Sequence, residues 1–305
     1  MTPILHHFEI SPFSEKVRAI FGFKRMNWRS VQVPLALPKP DLTALTGGYR
    51  KTPNLQIGAD IYCDTALIAQ VIDALQPDPP LLPASAPMAA AAAAWADSTL
   101  FWQAIMNTQA PQARARLFEG MTQEAIDTLR ADRTAFTTGV KRPTPADAAA
   151  QLRSALGMFE RALSGQPWLL GPQTSIADFS VYHGLWFTAR AGVAETLFAP
   201  YPAVRAWFER IAAFGEGQRS EIDSGEAIGI AAAAKQYAPV QVQPGLGFEA
   251  GQGVSVAATD YGSEAVRGTL VGLTLERVTL AHQDPRAGSV RVHFPRNGFQ
   301  VQKAA

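Results

Sequence analysis

The chain has 305 residues, 47% of them hydrophobic and 17% charged, which excludes a disordered chain or a coiled coil and suits about two domains. Lys and Arg number 27 against 26 Asp and Glu, so a net charge of +1 gives no electrostatic reason to expect nucleic acid or a membrane surface as partner. One cysteine, Cys63, rules out an intrachain disulfide and a four-cysteine zinc site, and the longest apolar run, 88–96, is far shorter than the ~20 residues of a membrane helix.

Residues 3–8 read as a short strand. Ser11 and Pro12 then suit an N-cap and first helical position, with Val17, Ile20 and Phe21 on one face and Glu15, Lys16 and Arg18 on the rest. A second strand is expected at 28–33, a Pro-rich connection at 34–41, and two strands at 52–57 and 59–63 joined by a Gly58 turn. Asp64 and Thr65 open a helix whose stripe is Leu67, Ile68, Val71 and Ile72.

Pro77-Asp78-Pro79-Pro80 marks a linker, and from residue 84 the pattern turns helical. Trp95, Thr99, Trp102 and Met106 share a face. Thr144-Pro145 and Ser175-Ile-Ala-Asp178 mark two helix starts, and Pro202 begins another helix. Beyond Pro239 valine and glycine rise and strict alternation takes over. Five short strands at 254–302 predict a small antiparallel barrel or rolled sheet. The expected organisation is therefore an α/β unit at 1–82, an all-helical unit at 84–235 and an all-β unit at 240–305.

The first two units resemble a glutathione transferase. Ser11-Pro12-Phe13-Ser14 after the first strand is similar to that family's active-site turn, and Lys51-Thr52-Pro53-Asn54-Leu55 to its proline motif. Asp64-Thr65 matches its acid–hydroxyl pair, and Ser175 to Asp178 its helical capping box. The resemblance implies a thioredoxin-like domain followed by a helical bundle, covers roughly residues 1–215, and leaves the β tail as a departure. It implies a cytoplasmic, dimeric detoxification enzyme that uses glutathione as co-substrate. Neither a metal nor a nucleotide is implied, and no nucleic-acid or membrane partner.

Such a site must hold the thiol of glutathione, near pKa 8.5 when free, as its thiolate. A helix N-terminus and a hydroxyl donor both favour the anion, which points to Ser11 as the catalytic group, although alone it reads as a simple N-cap. Ser14 reads as a first-turn residue. Two serines in this turn close thiol–disulfide exchange, because a hydroxyl cannot form a mixed disulfide. The resemblance assigns Arg50, Lys51, Thr52, Pro53, Asp64 and Thr65 to the peptide, with Pro53 in the cis form. A pocket for a small hydrophobic electrophile is expected between the domains, with Phe13 and Tyr182 its chosen residues among Phe8, Trp95, Trp102 and Trp186. Cys63 reads as a buried hydrophobe, His6 and His7 as strand residues and Asp178 as structural. Two rival readings share this fold: a catalytically silent binding or scaffold protein, and a glutathione-dependent isomerase or dehalogenase.

Overall fold

The computed structural model describes residues 1–304. The chain opens with β1 (Ile4–His7), α1 (Pro12–Phe23) and β2 (Asn27–Gln32). Next come α2 (Pro40–Thr46), β3 (Asn54–Ile57), β4 (Asp60–Cys63) and α3 (Thr65–Leu75). Helix α2 falls where a plain connection was expected. Pro40 occupies its first turn and Gly47 closes it with φ of 67°, but seven residues are too few for a periodicity to show.

The helical unit begins with α4 (Ala89–Trp95), which continues through a π-bulge (Ala96–Leu100) into α5 (Phe101–Met106). It goes on through α6 (Pro111–Leu117), α7 (Gln123–Phe136), α8 (Pro145–Leu163), α9 (Ile176–Arg190), α10 (Ala194–Phe198) and α11 (Pro202–Ala212). Thr144 caps α8, and Ser175 with Asp178 forms the capping box of α9. Asp178 is fully buried. Its oxygens accept from the backbone N–H groups of Leu169 and Ser175 and from Trp207 Nε1, so its work is structural. One continuous core joins the two units, with Ile20, Trp28 and Ile68 on one side and Leu156, Phe179 and Trp207 on the other. No helix among the described residues is long and apolar enough to cross a membrane.

After α11 the chain returns to the first unit. β5 (Gln218–Glu221) lies parallel to β2, and α12 (Ser224–Ala233) packs on α2. The tail then forms β6 (Gly253–Ala258), β7 (Val266–Leu273), β8 (Arg277–Asp284), β9 (Gly288–Pro295) and β10 (Phe299–Lys303). These strands extend the first unit's sheet, whose order is β10-β6-β7-β8-β9-β4-β3-β1-β2-β5. The join is parallel: Ile61 faces Val292 and Tyr62 faces His293. A second core lies across this join, with Leu45, Tyr49, Ile61 and Cys63 packed among Val256, Leu280, Val292 and Phe294.

The join also carries a buried polar lock. His293 Nε2 lies 2.7 Å from Asp60 Oδ1, and Thr279 Oγ1 lies 3.0 Å from His293 Nδ1. Asp60 Oδ2 accepts from the Ala238 N–H at 2.8 Å, and the Tyr62 ring stacks on His293 at 4.4 Å. Burial lowers the His293 pKa against the opposing pull of Asp60. The neutral imidazole therefore donates to the carboxylate and accepts from the hydroxyl. Removing it strands a buried carboxylate. His293→Ala is expected to destabilise the protein by about 3 kcal/mol in urea denaturation; a change within experimental error would refute the lock.

Candidate functional site

The two faces of α1 are both covered, which the sequence pattern did not foresee. Lys16 and Arg18 were expected on the polar face but are buried, because α9 packs against the side away from the sheet. Each has found acids. Lys16 Nζ donates to Asp97 in the π-bulge at 2.6 Å and to Thr65 Oγ1 at 3.2 Å. Asp97 also lies 3.0 Å from His183 Nε2. Burial alone would raise the Asp97 pKa, but Lys16 and His183 hold it at about 2. Arg18 reaches Glu15 at 2.7 Å and His7 Nδ1 at 3.1 Å.

Above this polar layer lies a cavity of about 770 Å³ between the two units. Ser11 borders it at the N-terminus of α1. The Ser11 Oγ accepts the Ser14 N–H at 3.2 Å, so it is an N-cap, and its own O–H remains free to donate. Phe13 lines the cavity and packs at 4.7 Å against both Phe101 and His183. Arg50, Lys51 and Thr52 line it as well, and the Thr52–Pro53 bond is cis, as the motif implied.

Other expected residues fall elsewhere. Pro53 is buried behind Thr52 and does not border the cavity. Asp64 and Thr65 lie outside it too. Asp64, at φ of 74°, caps α3 by accepting the Ala66 N–H at 2.8 Å, and the Thr65 hydroxyl oxygen is occupied by Lys16. Tyr182 does not reach the cavity: it is 2% exposed, packs on Phe208 at 4.9 Å, and its hydroxyl donates to Glu15. The helical spacing that suggested it marks core here. Of the other aromatic candidates Phe8 and Trp102 line the cavity, while Trp95 and Trp186 do not. Cys63 is buried, and burial pushes its thiol pKa well up, so it is no nucleophile.

Sequence reasoning missed two contributions. The first is Lys39, which is 5% exposed and directs its Nζ to Thr52 Oγ1 at 3.2 Å. Burial and the nearby Arg133 and Arg50 guanidiniums lower its pKa to about 8. It remains charged at neutral pH with donors to spare. Only its place between Pro38 and Pro40, in a stretch too irregular to orient, marks it in the sequence. The second is Tyr261 of the tail, which closes one side of the cavity against Trp102 and Phe136. The same loop pairs Asp260 with Lys51 at 2.5 Å and Glu264 with Arg50 at 3.3 Å. Gly262 lets it cross Phe136: its N–H donates to the Phe136 carbonyl, and a β-carbon there would collide with the ring. Among the described residues, no Asp or Glu lines the cavity.

These features meet the comparisons with known proteins. The family model for the glutathione S-transferase N-terminal domain matches residues 5–80, and that for the C-terminal domain matches 108–210. A GST-like protein from Pseudomonas syringae is 40% identical, with 99% of each chain covered and a TM-score of 0.77, so the likeness runs through the β tail. The chain belongs to the glutathione S-transferase family. It is also 24% identical over 213 residues to FtsZ-localized protein A of Caulobacter vibrioides, covering 68% of this chain and 85% of that protein. The solved FzlA from C. crescentus is 25% identical, covers 69% of this chain and 88% of its own, and has a TM-score of 0.51.

Four of the five histidines are buried near the two cores, and burial lowers each pKa: His6 to about 4, His7 to about 3, and His183 and His293 in the same direction. Unfolded, they bind protons near pH 6.5; folded, they do not. Their contribution to stability is full above that pH and is lost as pH falls toward 4. The melting temperature is expected to begin falling below pH 6.5, before carboxylates titrate. A flat profile from pH 7 to 5 would contradict this assignment.

Proposed function

We propose that the protein is a glutathione-dependent transferase in which Ser11 stabilises the thiolate. The observation that carries this reading is the Ser11 hydroxyl at the N-terminus of α1. Its oxygen caps the helix while its proton has no protein acceptor among the described residues, and Ser11 borders the cavity together with Thr52. The helix end and the hydroxyl both favour the anion over the thiol. The thiol proton leaves to water. The sulfur lone pair then attacks an electrophilic carbon, a C–S bond forms, and the leaving group departs with its electron pair.

Thr52, set by the cis-Pro53 bond, would hold the cysteinyl backbone, and Asp64 and Thr65, outside the cavity at the start of α3, would take the γ-glutamyl end where it extends beyond that cavity. Lys39, beside Thr52, is the cation best prepared for a carboxylate. Arg50 and Lys51 would join it by exchanging Glu264 and Asp260 for the peptide. Cytoplasmic location and a homodimer belong to the same proposal.

The second reading is a binding protein without turnover. It draws support from the FtsZ-localized relative and from the tail acids already seated on Arg50 and Lys51. Calorimetric titration with glutathione separates the two. Saturable binding, with turnover of 1-chloro-2,4-dinitrobenzene that falls at least about tenfold in Ser11→Ala, is the expected result. That variant also loses a helix cap worth about 1 kcal/mol, so its fold is checked by melting. Full turnover in Ser11→Ala would remove its catalytic role, and no binding at millimolar glutathione would favour the binding protein.

A further inference from the structure

The charge of the cavity exceeds what one tripeptide can use. Its lining includes seven Lys and Arg side chains and no acid among the described residues. Three of the seven have acids of their own: Arg50 has Asp132 and Glu264, Lys51 has Asp260, and Arg130 pairs with Asp127 at the surface. Lys39 is assigned above to the peptide. Arg114, Arg133 and Arg142 remain, all from the helical unit. Arg133 is only partly compensated: it shares Asp132 with Arg50, 3.6 Å from Oδ2 while Arg50 takes Oδ1, and it donates to the Leu35 carbonyl at 3.1 Å. Arg142 has the hydroxyl of Thr137 as its partner and lies 4.9 Å over the Trp102 ring.

Between these cations the wall is aromatic. Trp102 meets Tyr261 edge-on at 5.7 Å, and Tyr261 meets Phe136 at 5.1 Å. Arg133 stands 5.3 Å from the Phe136 centroid and Phe101 lies behind Phe13. A purely apolar guest would cover the rings and also desolvate the guanidiniums without pairing them, which costs free energy. A flat ring bearing a carboxylate satisfies both halves of the wall. The ring packs on the aromatics, and the carboxylate accepts paired N–H bonds from a guanidinium fork.

We propose that the helical side of this cavity binds an aromatic carboxylate, with Arg133 and Arg142 as its anion contacts and Tyr261 of the tail as part of its ring wall. As a substrate class this rests on the transferase reading; as a binding site it does not. It replaces the neutral hydrophobic electrophile expected from the sequence with an acidic one.

The test uses 2-naphthoate and its neutral isostere 2-naphthamide, each titrated calorimetrically into the full chain with and without saturating S-methylglutathione. The naphthoate is expected to bind about tenfold more tightly than the amide, with S-methylglutathione present as well as absent. Added sodium chloride should weaken the naphthoate and leave the amide unchanged, which requires no variant. Arg133→Met and the solvent-exposed Arg142→Met should each remove most of the preference while sparing the amide. Equal or tighter binding of the amide would overturn the proposal. So would loss of the preference once S-methylglutathione is bound, because the naphthoate would then only be borrowing the peptide's cation. The S-methylglutathione titration alone reports on the peptide site. If it is silent, the transferase reading fails, and the naphthoate preference together with Arg142→Met decides the anion site by itself.

Discussion

A β-strand at the edge of a sheet presents unpaired N–H and C=O groups that must be met by something. Without the tail β4 would be such a strand, and the rest of this structure follows from β9 meeting it. Pairing there is parallel, so the tail must cross over before it can return, and β6 to β8 are laid down beyond it. Asp60 and His293 then fix the register through a buried hydrogen bond that a one-residue slip would break. Cys63 and Ile61, on the face away from α1, gain a core of their own.

Because the tail is anchored at β4, the loop between β6 and β7 comes to lie over the cavity. Asp260 and Glu264 meet Lys51 and Arg50, and Tyr261 fills the angle between Trp102 and Phe136. The tail is thus a wall of the candidate site, and its acids neutralise the cations nearest the first unit. The cations its acids do not reach, Arg114, Arg133 and Arg142, are on the helical side. The chemistry a cavity favours is set by this balance as much as by the nucleophile at its base.

The local devices were legible in the sequence. Ser11-Pro12, Thr144-Pro145 and the Ser175–Asp178 box each act through atoms a few residues apart, and each caps the helix it announced. The strands of the tail also showed, since alternation needs only its own residues. Long-range partnerships did not. Nothing near Tyr62 announces His293, and nothing near Lys16 announces Asp97. A charged residue reads as solvated until its partner is known, so the sequence puts Lys16 and Arg18 on a polar face and does not mark Lys39. Tyr182 erred the other way: an aromatic at helical spacing fits a pocket wall and a core equally well, and α9 is buried on nearly all sides.

The parallel β4–β9 pairing also orders events in time. β4 emerges early in synthesis, and its partner must wait until Pro295 has left the ribosome, on the order of ten seconds or more at ordinary elongation rates. During that interval the nascent first unit carries a bare strand edge and an uncovered apolar face around Ile61 and Cys63. Until β9 arrives, the edge of β4 is open to strands of other chains as well as to its own partner.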